Sequence, residues 1–147
     1  MKIISACLCG INCKYNGGNN LVPALKELAE KENALLVCPE TMGGLPVPRS
    51  ACEIKGGTGL DVIAGHARVT DTEGCDLTDY FLAGAYEVLT MAKKAGIDSA
   101  ILKSRSPSCG AGKIYDGSFK SRLIDGDGVT SALLKLHDIQ VITEADI

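Results

Sequence analysis

The stretch SAILKSRSPSCG, residues 99–110, joins a short apolar run to a loop of serine, proline and glycine that carries one cysteine. The apolar run predicts a β-strand over Ser99–Lys103. A structural cysteine is usually buried among apolar neighbours and chemically quiet. Cys109 instead stands in a segment suited to irregular backbone, where glycine permits close approach to a ligand. We therefore interpret Cys109 as a thiol that the loop presents at the end of a strand.

Two further strands are predicted in the first quarter of the chain. One is Ile3–Ala6, and the other is Ala34–Val37, a wholly apolar run typical of a strand covered on both faces. Between them, Leu21–Glu32 has apolar residues at helical spacing, with Asn20 as the expected cap. Strand, helix and strand in this order predict a parallel βαβ unit.

The rest of the chain continues this alternation. Pro39–Gly59 contains three prolines and five glycines, so we expect an irregular segment that forms part of a site. A helix is predicted over Asp79–Ala95, with Thr78 as its cap and Gly96 at its end. Other expected elements are a helical turn at Asp61–Gly65, a strand at Ala67–Val69, an Asp-Gly turn within Ile114–Phe119, a helix at Val129–His137 and a strand at Gln140–Thr143.

The pattern predicts an α/β fold. We expect a single domain over residues 1–147 with a mainly parallel sheet, flanking helices and an active site at the carboxyl ends of the strands. The apolar runs end before the roughly 20 residues of a membrane helix, and no signal peptide is visible. We therefore expect a cytoplasmic protein with no membrane contact.

Charge and cysteine content narrow the function further. The net charge is −3 and the cations are scattered, so nucleic acid binding is not expected without another domain. Seven cysteines, an odd number, argue against a secreted disulfide framework and favour free thiols or metal ligands in a reducing compartment.

Three of these cysteines follow predicted strands. Cys7 comes after the first strand and Cys38 after the second, and Cys109 lies in the loop after the predicted strand Ser99–Lys103. Because ligands bind outside the carboxyl ends of the strands in such sheets, the three thiols can meet at one edge and hold a compact metal centre. The remaining thiols have no comparable setting and are interpreted as packing residues: Cys9, Cys13, Cys52 and Cys75.

The spacing of the cysteines does not identify the metal. The paired ligands of a structural zinc site are missing, and His66 and His137 are isolated in sequence. The segment CLCGINC at residues 7–13 matches no ferredoxin spacing. The residues alone therefore indicate a thiolate-ligated metal centre and nothing more specific.

Four segments together resemble a known family. They are SACLCGINCKYNGG (residues 5–18), CPETMGGLPVPR (38–49), GLDVIAGHARVTDTEGCDLTDYFLAGA (59–85) and ILKSRSPSCGAGKIYDGSF (101–119). The resemblance is to the thiouracil desulfidase family, also catalogued as domain of unknown function 523. It covers nearly the whole chain in the same order, and the CPE-x-x-GGLP and SPSCG motifs are specific.

The resemblance implies a [4Fe–4S] cluster held by Cys7, Cys38 and Cys109, with one iron left open for the sulfur of the substrate. It implies non-redox, hydrolytic removal of sulfur from a thiouracil-type base, which yields uracil and hydrosulfide. Glu40, two residues after Cys38, is the best placed general base, and the resemblance points to the same residue. Ser104 resembles a second polar catalytic position that orients the water or the base. The implied partner is a small thiolated nucleobase.

Several alternatives stay open at this point. The extra thiols Cys9 and Cys13 depart from the family pattern and compete as cluster ligands. Two rival functions also remain: a zinc or redox-active thiol protein, and a non-catalytic nucleobase-binding module. Arg49 is expected either to pair with Glu40 or to face the substrate, and Asp116 is expected to be a turn residue. A free thiouracil, a thionucleoside and a thiolated base in RNA present the same thiocarbonyl. The sequence carries no signal of an oligomeric state.

Overall fold

The computed structural model describes residues 1–147 and has an α/β architecture. The strands are β1 (Ile3–Ser5), β2 (Leu35–Val37), β3 (Cys52–Lys55), β4 (Arg68–Asp71), β5 (Ser99–Leu102), β6 (Lys113–Tyr115), β7 (Leu123–Asp125) and β8 (Gln140–Thr143). The α-helices are α1 (Pro23–Glu32), α2 (Pro39–Met42), α3 (Gly59–Ile63), α4 (Thr78–Ala95) and α5 (Val129–Leu136). None of these helices combines the length and the apolar character needed to cross a membrane.

A parallel sheet of four strands forms the centre of the molecule. Its strand order is β2-β1-β5-β8, and β3 with β4 and β6 with β7 form two separate antiparallel pairs. In the central strand β1, Ile3 lies beside Leu35 of β2 and Ala100 of β5. Because β1, β2 and β5 run in one direction, the chain segments that leave their carboxyl ends emerge at the same edge of the sheet.

Alternating side chains of the sheet build two apolar layers. On one face, Ile4 and Ile101 pack with Leu25 of α1. On the other face, Ile3 and Leu102 belong to the larger core, to which α4 and α5 also contribute. Fully burying such a side chain stabilises the fold by about 1.5–3 kcal/mol, so the two layers hold the sheet rigid behind its carboxyl edge.

The short helix α2 is held against α4 by direct backbone contact. A Cβ atom at Gly84 of α4 would overlap the carbonyl oxygen of Pro39, and one at Gly43 would overlap the carbonyl oxygen of Tyr80. Only glycine permits this approach. The contact fixes the position of Glu40, which lies in α2.

The structure confirms the α/β fold class, the parallel βαβ unit and the helix end at Gly96, which has a left-handed backbone. Both predicted helix caps are wrong. Helix α1 begins at Pro23 after Val22, because the backbone N–H groups of Asn20 and Val22 donate to the carbonyls of Cys7 and Leu8 and hold this segment outside the helix. Thr78 is the first residue of α4 and not its cap.

Two other expectations hold only in part. Pro39–Gly59 is not irregular throughout, because it contains α2 and β3. Strand β2 lies at an edge of the sheet, and its two faces are partly covered: Leu35 packs against the larger core and Leu36 against the layer under α1, and both are half-buried. The Asp-Gly turn predicted within Ile114–Phe119 lies at the tip of the β6–β7 hairpin.

Candidate active site

One pocket of about 590 Å³ opens at the carboxyl ends of β1, β2 and β5. It contains all five site residues that were predicted from the sequence, namely Cys7, Cys38, Cys109, Glu40 and Ser104. Its volume lies within the usual range of small-molecule sites. The pocket is therefore the candidate active site.

Each of the three cysteines is placed by the end of a parallel strand. Cys7 lies in a 3₁₀ turn, Ala6–Cys9, directly after β1. Cys38 joins β2 to α2, and Cys109 lies in the loop after β5. The convergence expected from the strand order is present in the structure.

The Cys109 thiol is buried and surrounded by serine hydroxyls. Ser5 donates to Cys109 Sγ at 3.8 Å, and Ser108 Oγ lies 3.6 Å from the same sulfur. The backbone of the loop is held as well, because the Cys109 N–H donates to Ser106 Oγ at 2.8 Å and Ser131 Oγ donates to the Cys109 carbonyl at 2.6 Å. Both the thiol and the peptide groups of Cys109 thus have fixed surroundings.

The amino end of α5 supports the same loop. The N–H of Val129 donates to the Pro107 carbonyl, and the N–H of Thr130 donates to the Ser108 carbonyl, each at 2.8 Å. Gly128 packs so closely that a Cβ atom there would come within 2.6 Å of the Ser108 carbonyl carbon. The first N–H groups of a helix have no partner within the helix, so the loop satisfies α5 while α5 fixes the loop.

The three strand-end thiols influence one another electrostatically. Burial raises the pKa of Cys109 to about 12, and the neighbouring Cys7 contributes to that rise. Burial also raises the pKa of Cys7, with a smaller contribution from Cys38. A hydrogen bond from Cys13 lowers the pKa of Cys38 to about 6. Cys38 is therefore the thiol that ionises most readily, whereas Cys7 and Cys109 stay protonated unless a cation replaces the proton.

The remaining thiols occupy different surroundings. Cys13 and Cys52, both interpreted from the sequence as packing residues, are buried but line the pocket, and Cys38 Sγ lies 3.8 Å from the Cys13 carbonyl. Cys9 lies outside the pocket, in the apolar layer under α1, with its thiol 3.9 Å from the Leu25 carbonyl. Cys75 is exposed, so its interpretation as a packing residue is wrong.

The carboxylate of Glu40 is held from both sides. Arg49 approaches Oε1 through Nε at 3.1 Å and Nη2 at 3.0 Å, and Ser108 donates to Oε2 at 2.7 Å. The side chains of Arg49 and Glu40 are only 7% and 14% exposed. Arg49 Nη2 also donates to the Cys13 carbonyl at 3.1 Å. The expected pairing of Arg49 with Glu40 is confirmed.

Ser104 belongs to a second polar group in the same pocket. Its hydroxyl donates to Glu144 Oε1 at 2.7 Å, and Lys103 Nζ lies 3.0 Å from the hydroxyl and 2.9 Å from the same carboxylate. Burial acts to raise the pKa of Glu144, but the hydrogen bonds from Lys103 and Ser104 outweigh it, so the pKa is lowered. The serine that contacts Glu40 is Ser108 and not Ser104.

Comparison with known proteins agrees with this geometry. Residues 3–146 match the family model described as 2-thiouracil desulfurase. The chain belongs to the 2-thiouracil desulfurase family. It is 42% identical to the uncharacterized protein YbbK of Bacillus subtilis strain 168, over 147 residues that make up 100% of this chain and 97% of YbbK. The resemblance read from the sequence motifs is confirmed.

The fold of the chain also matches that of a solved structure. The [4Fe–4S]-dependent thiouracil desulfidase TudS superposes with a TM-score of 0.87 at 39% sequence identity, covering 99% of this chain and 91% of TudS. The desulfurase family is a family of enzymes, so the expectation that the protein is an enzyme is confirmed.

The residues in the pocket of this desulfurase family member suit an iron–sulfur cluster. Thiolates are the ligands that such clusters use, and Cys7, Cys38 and Cys109 lie in one pocket with mutual electrostatic influence. Neither histidine competes, because His66 and His137 are both exposed and outside the pocket.

Several polar residues of the site were not predicted from the sequence. Ser108 and Glu144 are the clearest cases, since they contact Glu40 and Ser104 respectively. The position of Ser108 next to Cys109 in the SPSCG motif was a usable signal. No sequence signal pointed to Glu144, because the pairing of β8 with β5 brings this residue to Ser104. Asp116 is a turn residue as expected, accepting from the Ser118 N–H at 2.9 Å.

Proposed function

We propose that the protein is a [4Fe–4S]-dependent desulfidase that hydrolyses a thiouracil-type base to uracil and hydrosulfide without net redox change. The observation that carries this proposal is the convergence of Cys7, Cys38 and Cys109 in a pocket that also contains the carboxylate of Glu40. Family membership and the likeness to TudS support it. The substrate is a small thiolated pyrimidine.

The cluster would be held by the thiolates of Cys7, Cys38 and Cys109. A cluster with three protein ligands supplies a Lewis-acidic iron that suits the soft thiocarbonyl sulfur of the substrate. Cys13 stays a neighbour of the ligand set in this proposal, since it lines the same pocket and its carbonyl lies 3.8 Å from Cys38 Sγ. The hydroxyl of Ser5 would donate to the Cys109 thiolate, because it already points at the sulfur, whereas Ser108 directs its single proton to Glu40.

Glu40 would act as the general base. Water attacks the thiocarbonyl carbon and forms a C–O bond while Glu40 takes one of its protons. The second water proton passes from oxygen to sulfur, the carbonyl forms, and the C–S bond breaks with hydrosulfide as the leaving group. Arg49 and Ser108 occupy both oxygens of the carboxylate and so restrict its rotation. A base held in place in this way contributes typically 10²–10⁴-fold to a rate.

Ser104 would orient the attacking water or the substrate. Its hydroxyl proton is directed to Glu144 and Lys103 Nζ donates to Oγ, which leaves one lone pair of Oγ to accept from water or from a ring N–H. Lys103 neutralises Glu144 and keeps this arrangement in place. Ser104 thus contributes an acceptor, whereas Glu40 contributes the base.

The proposal is tested by reconstituting the protein without oxygen and measuring iron, sulfide and the release of uracil from 2-thiouracil. We expect about four irons per chain and turnover in the wild type. Cys109→Ser should lose both, whereas the matched control Cys75→Ser, which alters an exposed thiol outside the pocket, should retain both. A colourless protein, or turnover that is indifferent to Cys109, would refute the proposal.

A further inference from the structure

The tip of the β6–β7 hairpin forms a wall of the pocket to which the proposed chemistry gives no role. Tyr115, Phe119 and Ser121 line the pocket from this segment. None of them contacts Glu40 or a strand-end cysteine through a hydrogen bond. The hairpin wall is therefore available to contact a molecule bound in the pocket.

The backbone of this wall is held in an unfavourable conformation. Phe119 has φ +58° and Ser121 has φ +57°. Both values lie in the left-handed backbone region, which residues other than glycine, asparagine and aspartate seldom adopt. An aromatic residue there is an outlier that persists only when its surroundings hold it. Such strain collects at ligand-binding segments.

Contacts with β3 hold the tip in this conformation. One carboxylate oxygen of Glu53 accepts the N–H of Gly117 at 3.0 Å and the N–H of Phe119 at 3.2 Å. Gly117, with φ +93°, lies directly on the strand, because a Cβ atom there would come within 2.6 Å of the Ile54 carbonyl oxygen. Phe119 is thus carried on a rigid support.

The side chain of Phe119 remains partly exposed although it is strongly apolar. The chain has two phenylalanines, and the other one, Phe81, is fully buried in the core. Phe119 instead faces a pocket, where a flat aromatic ligand can cover its ring. Bases bound by proteins are commonly stacked on aromatic side chains, and a pyrimidine has the matching shape.

We propose that Phe119 is the residue on which the pyrimidine ring stacks, and that Glu53 is the positioning residue that keeps Phe119 in place. The identity of the ring as a pyrimidine rests on the proposed function. Stacking depends on the flat ring and not on the exocyclic sulfur, so uracil binds to Phe119 as thiouracil does. This separates the role of Phe119 from that of the thiolates and Glu40.

The test uses the anaerobically reconstituted protein and two substitutions that keep the same left-handed backbone position occupied by a side chain. Phe119→Leu removes the aromatic ring and Phe119→Tyr retains it. Uracil affinity is measured by calorimetry, and KM and kcat for 2-thiouracil are measured separately. We expect Phe119→Leu to weaken uracil binding and raise KM about tenfold, with kcat per cluster within about twofold. Phe119→Tyr should behave as the wild type.

The role of Glu53 has its own pair of variants. Glu53→Ala removes the acceptor for both N–H groups and should weaken uracil binding several-fold, whereas the amide oxygen of Glu53→Gln can still accept both and should restore it. The cluster absorbance should be the same in all variants. A loss that Gln does not restore would overturn the positioning role.

A measurement on the wild type covers the case in which Phe119→Leu fails to fold. Irradiation of bound 5-iodouracil labels aromatic residues stacked on it, and the labelled peptide is identified by mass spectrometry. We expect the label on Phe119, and a label confined to other peptides would overturn the inference.

If the wild type binds uracil through Phe119 but does not release sulfur from thiouracil, the proposed function fails and the stacking role stands. If the wild type turns over thiouracil and Phe119→Leu equals it in affinity and KM, only the stacking role fails; a wild type that neither turns over thiouracil nor binds uracil overturns both.

Discussion

Ser108 Oγ donates a hydrogen bond of 2.7 Å to Oε2 of Glu40, although the two residues are 68 positions apart in the chain. Ser108 adjoins Cys109 and Glu40 lies two residues after Cys38, so this bond connects two of the three loops that carry strand-end thiols. The proposed base and the proposed cluster ligands therefore share one rigid unit. A change at Glu40 can be separated from a change at the thiols by measuring cluster content beside activity.

Glu40→Gln should lower kcat for thiouracil by about 10²–10⁴-fold because the amide cannot take the proton of the attacking water. The single amide oxygen of Gln can accept from Arg49, and its NH₂ group can donate to Ser108 Oγ, so the side chain keeps its place and iron content should not change. The measurement is uracil release per bound cluster. Glu27→Gln, an exposed change on α1, is the matched control and should leave the rate unaltered. Equal rates for Glu40→Gln and the control would remove Glu40 from the mechanism.

Arg49→Met should destabilise the protein by about 3 kcal/mol, because it leaves the buried Glu40 charge without its partner. Arg49→Lys keeps the charge but cannot reproduce the two contacts to Oε1 together with the bond to the Cys13 carbonyl. Its effect should be intermediate. Urea unfolding of the three proteins measures these differences. The double variant Glu40→Gln with Arg49→Met should cost less than the sum of the single changes; strict additivity would contradict the coupling.

The convergence of the three strand-end cysteines could be predicted from the sequence because it depends on chain order and strand direction alone. Cys7, Cys38 and Cys109 each follow an apolar run, and parallel strands bring such positions to one edge. The sequence did not predict that Cys52 also lines this pocket. That contact depends on how the antiparallel pair β3–β4 packs beside the sheet, for which local sequence gives no signal.

The predicted helix caps failed for a related reason. Asn20 and Thr78 are good capping residue types, but the backbone N–H groups of Asn20 and Val22 donate to the carbonyls of Cys7 and Leu8, so the helix starts only at Pro23. Thr78 accepts from the Val69 N–H and is itself preceded by Asp76, which accepts from the Thr78 N–H. Contacts with other segments decided the outcome at both positions, and propensity alone does not contain them.

Ser131→Ala should speed the loss of the cluster, because Ser131 Oγ fixes the carbonyl of Cys109 at 2.6 Å. Residues that support a metal ligand typically contribute 10- to 100-fold to metal affinity. The measurement is the decay of cluster absorbance in the presence of a chelator. Thr130→Val is the matched control in the same helix turn, since Thr130 Oγ1 is buried without a hydrogen-bond partner. It should retain the cluster as the wild type does, and equal decay of both variants would contradict a support role for Ser131.

Asp76→Asn should remove part of the acid sensitivity of the fold. The hydrogen bond from Arg68, followed by those from Thr78, lowers the pKa of Asp76 to about 2. The ordinary value of an aspartate is about 3.9, so the charged form stabilises the folded state above about pH 4. That contribution is lost as the pH falls through the folded pKa. Because the side chain is 45% exposed, we expect about 1 kcal/mol at pH 6, after allowing for solvent screening.

The free energy of unfolding in urea at pH 6 and at pH 3 measures this effect, with both proteins free of cluster so that acid loss of metal does not contribute. Wild type should exceed Asp76→Asn by about 1 kcal/mol at pH 6 and by clearly less at pH 3. Asp138→Asn is the matched control, because the Asp138 carboxylate is exposed and makes no ion pair. Its free energy of unfolding at pH 6 should lie close to that of the wild type. A wild-type advantage that is the same at both pH values would show that the contacts of Asp76 with Arg68 and Thr78 do not stabilise the start of α4.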